Sequence, residues 1–140
     1  MTASVGISSA INKKWRSMNW ERVHQFLQEI EKTHSIYRNP FMNQQWVIDE
    51  LGLIELWDDG VENQLDLSYI VSFDMGKGSG SKLLDIVCET ADVLGWTLAL
   101  TAKVVGEHKD RLRQVQLEKW YRSRGFRRSN KGTYIKRYVR

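Results

Sequence analysis

Apolar residues recur at helical spacing over the first ordered stretch of the chain. Trp20, Val23, Leu27 and Ile30 fall on one face with Phe26 beside them, and Asn19 is placed to cap the helix. The pattern predicts an end near 33–35, with Pro40 in the loop that follows. Residues 45–51 and 53–57 read as short strands on either side of Gly52, closed by the turn signal Asp58-Asp59-Gly60. The clearest alternation runs over 65–73. Leu65, Leu67, Tyr69, Val71 and Phe73 are expected on one face, with Asp66, Ser68, Ile70 and Ser72 on the other.

Beyond a glycine-rich segment the period changes from two to 3.6. Leu83, Leu84, Val87, Cys88, Ala91 and Leu94 predict an amphipathic helix stopped by Gly95. A strand is expected at 96–104, a polar loop at 106–110 and a helix at 112–124 stopped by Gly125. Strands at 126–129 and 133–139 around Asn130-Lys131-Gly132 complete a hairpin. This is a mixed α/β chain whose strand–helix–strand unit straddles the glycines.

With 140 residues, 41% hydrophobic and 27% charged, the chain reads as one globular domain spanning 1–140, with 1–14 expected to be partly mobile. No apolar stretch nears the roughly 18 residues of a membrane span, and 1–12 lacks the charged start of a signal peptide. One cysteine, Cys88, excludes an internal disulfide and a Cys-rich zinc site, so a cytoplasmic setting is expected. His24 and His34 have no partners at metal-ligand spacing. The charge is uneven. Residues 111–140 hold eleven Lys or Arg against Glu118, a charge of +10, while the remaining 110 residues carry −6, together the net +4. That asymmetry points to an anionic ligand or partner.

Met75-Gly76-Lys77-Gly78-Ser79-Gly80-Ser81 carries the chemistry. Strand, glycine turn and helix together aim main-chain N–H groups and the positive helix end at a phosphate. A side chain on Gly78 or Gly80 is expected to fill the phosphate space. Lys77 comes too early for a Walker loop, and the glycine spacing is not that of a dinucleotide fingerprint. The pyrophosphate arm of coenzyme A fits better.

Met75-Gly76-Lys77-Gly78-Ser79-Gly80 resembles the hallmark turn of the GNAT acetyltransferase superfamily, Gln or Arg, two residues, Gly, one residue, Gly or Ala. Tyr121-Arg122-Ser123-Arg124-Gly125-Phe126 is similar to the family's helix ending in Tyr, three residues, Gly-Phe. The resemblance covers roughly 53–139. Met75 stands where relatives carry Gln or Arg, and Gln114 where many carry Asn. The resemblance implies a central mixed, mostly antiparallel twisted sheet flanked by helices. It also implies acetyl transfer from acetyl-CoA to a primary amine by direct attack.

On that resemblance Phe73, Met75, Gly76, Lys77, Gly78, Ser79, Gly80, Ser81, Gln114 and Tyr121 are the cofactor-binding residues. Tyr121 aligns with the tyrosine that protonates the departing thiolate. Its phenol stays protonated at neutral pH. Asp66 and Glu55 are candidates for the base, with His108 behind them. Lys82 is a further candidate for phosphate pairing, and Trp20, Trp46 and Trp57 belong either to the core or to an acceptor pocket. The acceptor is left open among a small molecule, a protein and an RNA-borne amine. A second reading is a nucleic-acid-binding module. Arg111, Arg113, Arg122, Arg124, Arg127, Arg128, Lys131, Lys136, Arg137 and Arg140, interleaved with Trp120, Tyr134 and Tyr138, would track phosphates and stack bases. A third is a GNAT-like protein that binds CoA without catalysis.

Overall fold

The computed structural model of the chain describes residues 20–42, 44–58, 60–74, 78–101, 111–128 and 134–138. The side chains at 101, 111–114 and 134–136 lie outside that description, as does the expectation for 1–14. The described elements are α1 (Trp20–Glu31), β1 (Ile36–Arg38), β2 (Gln45–Ile48), β3 (Gly52–Trp57), β4 (Gln64–Ser72), α2 (Ser79–Leu94), β5 (Thr97–Thr101), α3 (Arg111–Arg122), β6 (Phe126–Arg128) and β7 (Tyr134–Arg137). The seven strands form one sheet in the order β1-β2-β3-β4-β5-β7-β6. Every pairing is antiparallel except β4 with β5. This mixed, mostly antiparallel sheet flanked by helices is the architecture that the sequence implied.

The core forms where the helical stripes meet one face of the sheet. Val23, Phe26 and Ile30 of α1, and Leu83, Leu84 and Val87 of α2, pack with Ile48, Ile54, Leu56, Leu65, Leu67 and Leu98. Each is essentially inaccessible to water, and burying one such side chain contributes about 1.5–3 kcal/mol. Helix α2 ends as expected. Gly95 adopts a left-handed conformation, its N–H donates to Asp92 O, and the Trp96 N–H donates to Ala91 O.

Three departures from the sequence pattern have local causes. Strand β2 stops at Ile48 because Asp49 turns with φ 50°, held by its carboxylate accepting the Ser35 N–H at 2.7 Å. Strand β1, unmarked in the sequence, is three residues at the sheet edge, aligned against β2 from Ile36↔Ile48 to Arg38↔Trp46. Strand β4 carries a bulge. Glu55 faces Tyr69 while Leu56 faces Leu67, so Ser68 is the extra residue. One inserted residue exchanges the faces. Leu65 and Leu67 are in the core, but beyond the bulge Ile70 packs against it while Tyr69 and Phe73 are 38% and 54% exposed.

Pairing of β4 with β5 runs from Gln64↔Thr97 to Asp66↔Ala99, and no described residue pairs with β4 on that side beyond Asp66. The Phe73 N–H donates to Leu51 O at 3.0 Å. Alternation along the antiparallel ladder therefore directs Tyr69 and Val71 to β3, and turns the main-chain groups of Ile70 and Ser72 toward the opposite, β5 side of the strand.

Candidate functional site

The segment leaving β4 enters α2 through Gly78, at φ 79° and ψ 3°. That left-handed conformation costs a residue with a Cβ about 1–2 kcal/mol, so glycine here serves the backbone itself. No side chain caps the helix, and its first turn contains no acid. The positive end of the helix is suited to attract an anion. Ser81 Oγ accepts a hydrogen bond from Trp120 Nε1 at 3.1 Å, which leaves the hydroxyl proton free to donate. Lys82 is exposed beside the turn. Met75, Gly76 and Lys77 lie outside the described residues.

The two described glycines differ. A Cβ on Gly78 would meet nothing within 4 Å. One on Gly80 would point inward, 3.5 Å from Ser72 Cβ and 3.8 Å from the Trp120 ring, an ordinary van der Waals contact. The expectation that both positions keep a phosphate space clear is thus corrected for Gly80. A methyl there would be accommodated against the neighbouring strand and α3.

Tyr121 lies near the end of α3, its ring 5.0 Å from Trp120 and edge-on to Phe126 at 5.4 Å. It is 6% exposed. Burial pushes its phenol up to about 12, with a smaller contribution from Cys88 nearby. The group is a proton donor at any physiological pH. Gln114 belongs to the first turn of the same helix, and its side chain lies outside the described residues, as does His108.

Glu55 occupies the opposite face of the sheet. It alternates with the core residues Ile54 and Leu56 and joins a network spanning three strands. Gln45 Nε2 donates to Oε1 at 2.8 Å, Trp57 Nε1 donates to Oε2 at 2.8 Å, and Ser68 Oγ donates to Oε2 at 2.7 Å. Gln45 is itself fixed by Asn39 Nδ2, which donates to its Oε1 at 3.0 Å. Burial alone would raise the Glu55 carboxyl, but the three hydrogen bonds outweigh it and hold the group below the ordinary glutamate value. Asp66 is half-buried opposite Trp57 on the same face. The structure therefore groups Glu55 and Asp66 on one face of the sheet and sets Tyr121 in the core on the other.

Sequence reasoning missed Gln45, Ser68 and Trp120 as site neighbours. Gln45 and Ser68 lie 10 and 13 positions from Glu55, and the bulge that turns Ser68 toward it has no signature in the pattern. The tryptophans divide: Trp46 is in the core, Trp57 holds Glu55, and Trp20 packs 6.2 Å from Trp57.

The basic C-terminal third is partly consumed by the fold. Arg137 is buried against Asp92, Arg124 pairs with Asp85 at 2.9 Å and lies over the Trp120 ring, and Arg128 pairs with Glu118 at 2.8 Å. Arg122, Arg127 and Tyr138 are exposed. Lys131 and Arg140, and the side chains of Arg111, Arg113, Tyr134 and Lys136, lie outside the described residues. Among the described residues no helix is long and apolar enough to cross a membrane.

No protein-family model matches the chain, and no curated protein matches it. Two solved structures are similar to it. One is the anti-CRISPR protein AcrVA5, 21% identical, with 61% of this chain and 88% of that one covered at a TM-score of 0.47. The other is the PaiA N-acetyltransferase of Thermoplasma acidophilum in complex with coenzyme A, 15% identical, with 97% of this chain and 83% of that one covered, also at 0.47.

Proposed function

We propose that this chain is an N-acetyltransferase that moves the acetyl group of acetyl-CoA to a primary amine. The observation that carries the reading is the junction of β4 and α2. A strand whose Ile70 and Ser72 main-chain groups face away from β3 is followed by the glycine-rich segment and by a helix that starts at Gly78 with no side-chain cap. A pyrophosphate fits the helix start, held by N–H groups of the 76–81 segment, with the Ser79 and Ser81 hydroxyls and the Lys77 and Lys82 charges as supplements. In this reading the amide-bearing arm of the cofactor lies along the β5 side of β4 near Ile70 and Ser72, as an added strand would.

In this reading the amine nitrogen bonds to the acetyl carbon and the carbon–sulfur bond breaks. A main-chain N–H of β4 stabilises the oxyanion that develops between those events. The proton shed by the amine passes to Asp66, directly or through water. Glu55 is the weaker base, because three donors already stabilise its charge. Tyr121 supplies the proton for the departing thiolate.

Calorimetric titration with acetyl-CoA tests this directly. Micromolar binding that is lost when adenosine replaces the whole cofactor is the expected result. Absence of binding at millimolar acetyl-CoA would refute the reading.

A further inference from the structure

We infer that the sheet face around Glu55 docks a cationic amine carried on an apolar or aromatic skeleton. Taken as the acceptor, this ligand deepens the transferase reading and rests on it, but the docking site stands on its own geometry.

Charge comes first. Glu55 is half-buried and its three donors, Gln45, Trp57 and Ser68, are all neutral. Among the described residues no Lys, Arg or His pairs with it. A carboxylate offers about four acceptor directions. Among the described residues two donors reach Oε2 and one reaches Oε1, which leaves a direction on Oε1 for an ammonium N–H. A fixed anion lacking a counter-ion attracts a cation strongly where water is partly excluded. A phosphate or nucleic-acid backbone would be repelled by the same group. The acidic balance of the first 110 residues acts in the same direction.

The skeleton follows from the neighbours. Beyond the bulge, Tyr69, Val71 and Phe73 form a row on the Glu55 face, with Tyr69 directly opposite Glu55 and Leu53 opposite Val71. Tyr69 and Phe73 are 38% and 54% exposed. The row extends for about 13 Å at about 3.3 Å per residue, long enough for a phenyl or short alkyl body. An aromatic ring beside a carboxylate is a favourable seat for an ammonium, through its charge and its π-face together. The anionic end of the row adjoins Ser68 of β4, so a docked amine lies beside the strand to which the cofactor arm is assigned.

The test is calorimetry on the full chain, with and without CoA, using 2-phenylethylamine, 2-phenylethanol and ethanolamine. The first ligand carries charge and skeleton, the second the skeleton alone, the third the charge with a small polar body. Phenylethylamine is expected to bind at least tenfold more tightly than either of the others. Glu55→Gln should weaken it at least tenfold and leave CoA affinity unchanged. Because the network could make that variant fold poorly, Tyr69→Ala with Phe73→Ala provides a second reading at exposed positions. This pair should weaken phenylethylamine at least fivefold and leave ethanolamine unaltered. Equal affinity for all three ligands, or undiminished binding by Glu55→Gln, would overturn the inference. So would a sedimenting dimer that the Tyr69/Phe73 pair dissociates, since a second copy would then cover the face. Discrimination among amines without acetyl-CoA binding would sink the transferase reading and uphold this site; acetyl-CoA binding without discrimination would do the reverse.

Discussion

Arg137 and Asp92 provide a demanding test of how this fold is held together. Arg137 sits on the short strand β7 and is 3% exposed. Its Nη1 and Nη2 donate to the two Asp92 oxygens at 2.8 and 2.7 Å, its Nε donates to Arg124 O at 2.7 Å, and Nη1 also reaches Cys88 O at 3.3 Å. One side chain thus ties β7 to α2 and to the turn between α3 and β6. The hydrogen-bonded Asp92 carboxylate raises the guanidinium pKa despite the opposing effect of burial. Breaking a buried ion pair by removing one partner costs about 3–5 kcal/mol, chiefly because the other is stranded. The two partners differ in how stranded they become.

Asp92 keeps 32% of its side chain accessible and Arg137 only 4%. In Arg137→Met the carboxylate turns to water and the methionine fills much of the space, so the cost should fall near about 3 kcal/mol. In Asp92→Ala the guanidinium stays buried with two carbonyls and no counter-charge, so the cost should approach about 5 kcal/mol. Urea unfolding at pH 7, followed by tryptophan fluorescence and far-ultraviolet circular dichroism, reads both variants. Asp92→Ala should have the lower midpoint, and moderate salt should leave the difference intact, since buried pairs are poorly screened. A loss below about 1 kcal/mol in both variants, on the scale of a surface pair, would refute the clamp. Equal losses would refute the asymmetry.

Gly52→Ala should destabilise the protein by more than about 3 kcal/mol in the same assay, because its Cβ would lie 2.0 Å from Val71 O and 2.8 Å from Leu83 Cδ2. Gly78→Asn, which tolerates a left-handed backbone, should retain the melting temperature within a few degrees yet weaken CoA at least tenfold by calorimetry, whereas Gly80→Ala should change neither. Tyr121→Phe should lower turnover at least tenfold with acetyl-CoA affinity retained. The folded-state pKa of Tyr121, about 12, exceeds the unfolded value near 10. Its contribution to stability is therefore complete below about pH 10 and lost as pH rises toward 12, so alkaline unfolding should shift upward in the phenylalanine variant.

The parts of this molecule legible in the sequence are those where a short-range rule operates unopposed. Helix α2 is one. Its apolar stripe, its glycine stop and the glycines before it all act within a few residues, and the structure keeps them together. Strand β4 shows where the rules stop. Alternation placed Leu65, Leu67, Tyr69, Val71 and Phe73 on one face, and it held to Leu67. The bulge at Ser68 arises from how β4 meets β3, a pairing between residues 13 positions apart, so the local pattern could not register it. The consequence is chemical. A regular strand would have turned Tyr69 and Phe73 into the core; the bulge delivers them to the face that Glu55 occupies. The same reasoning applies to charge. Arg137 reads as one more cation in a basic tail, yet it is committed to Asp92, 45 positions away. Composition counts charges; it does not say which are neutralised at home. A variant lacking the bulge, with Ser68 deleted, should return Tyr69 toward the core and remove the Ser68 hydrogen bond to Glu55. If that deletion left amine discrimination unchanged, the bulge would have no part in building the site.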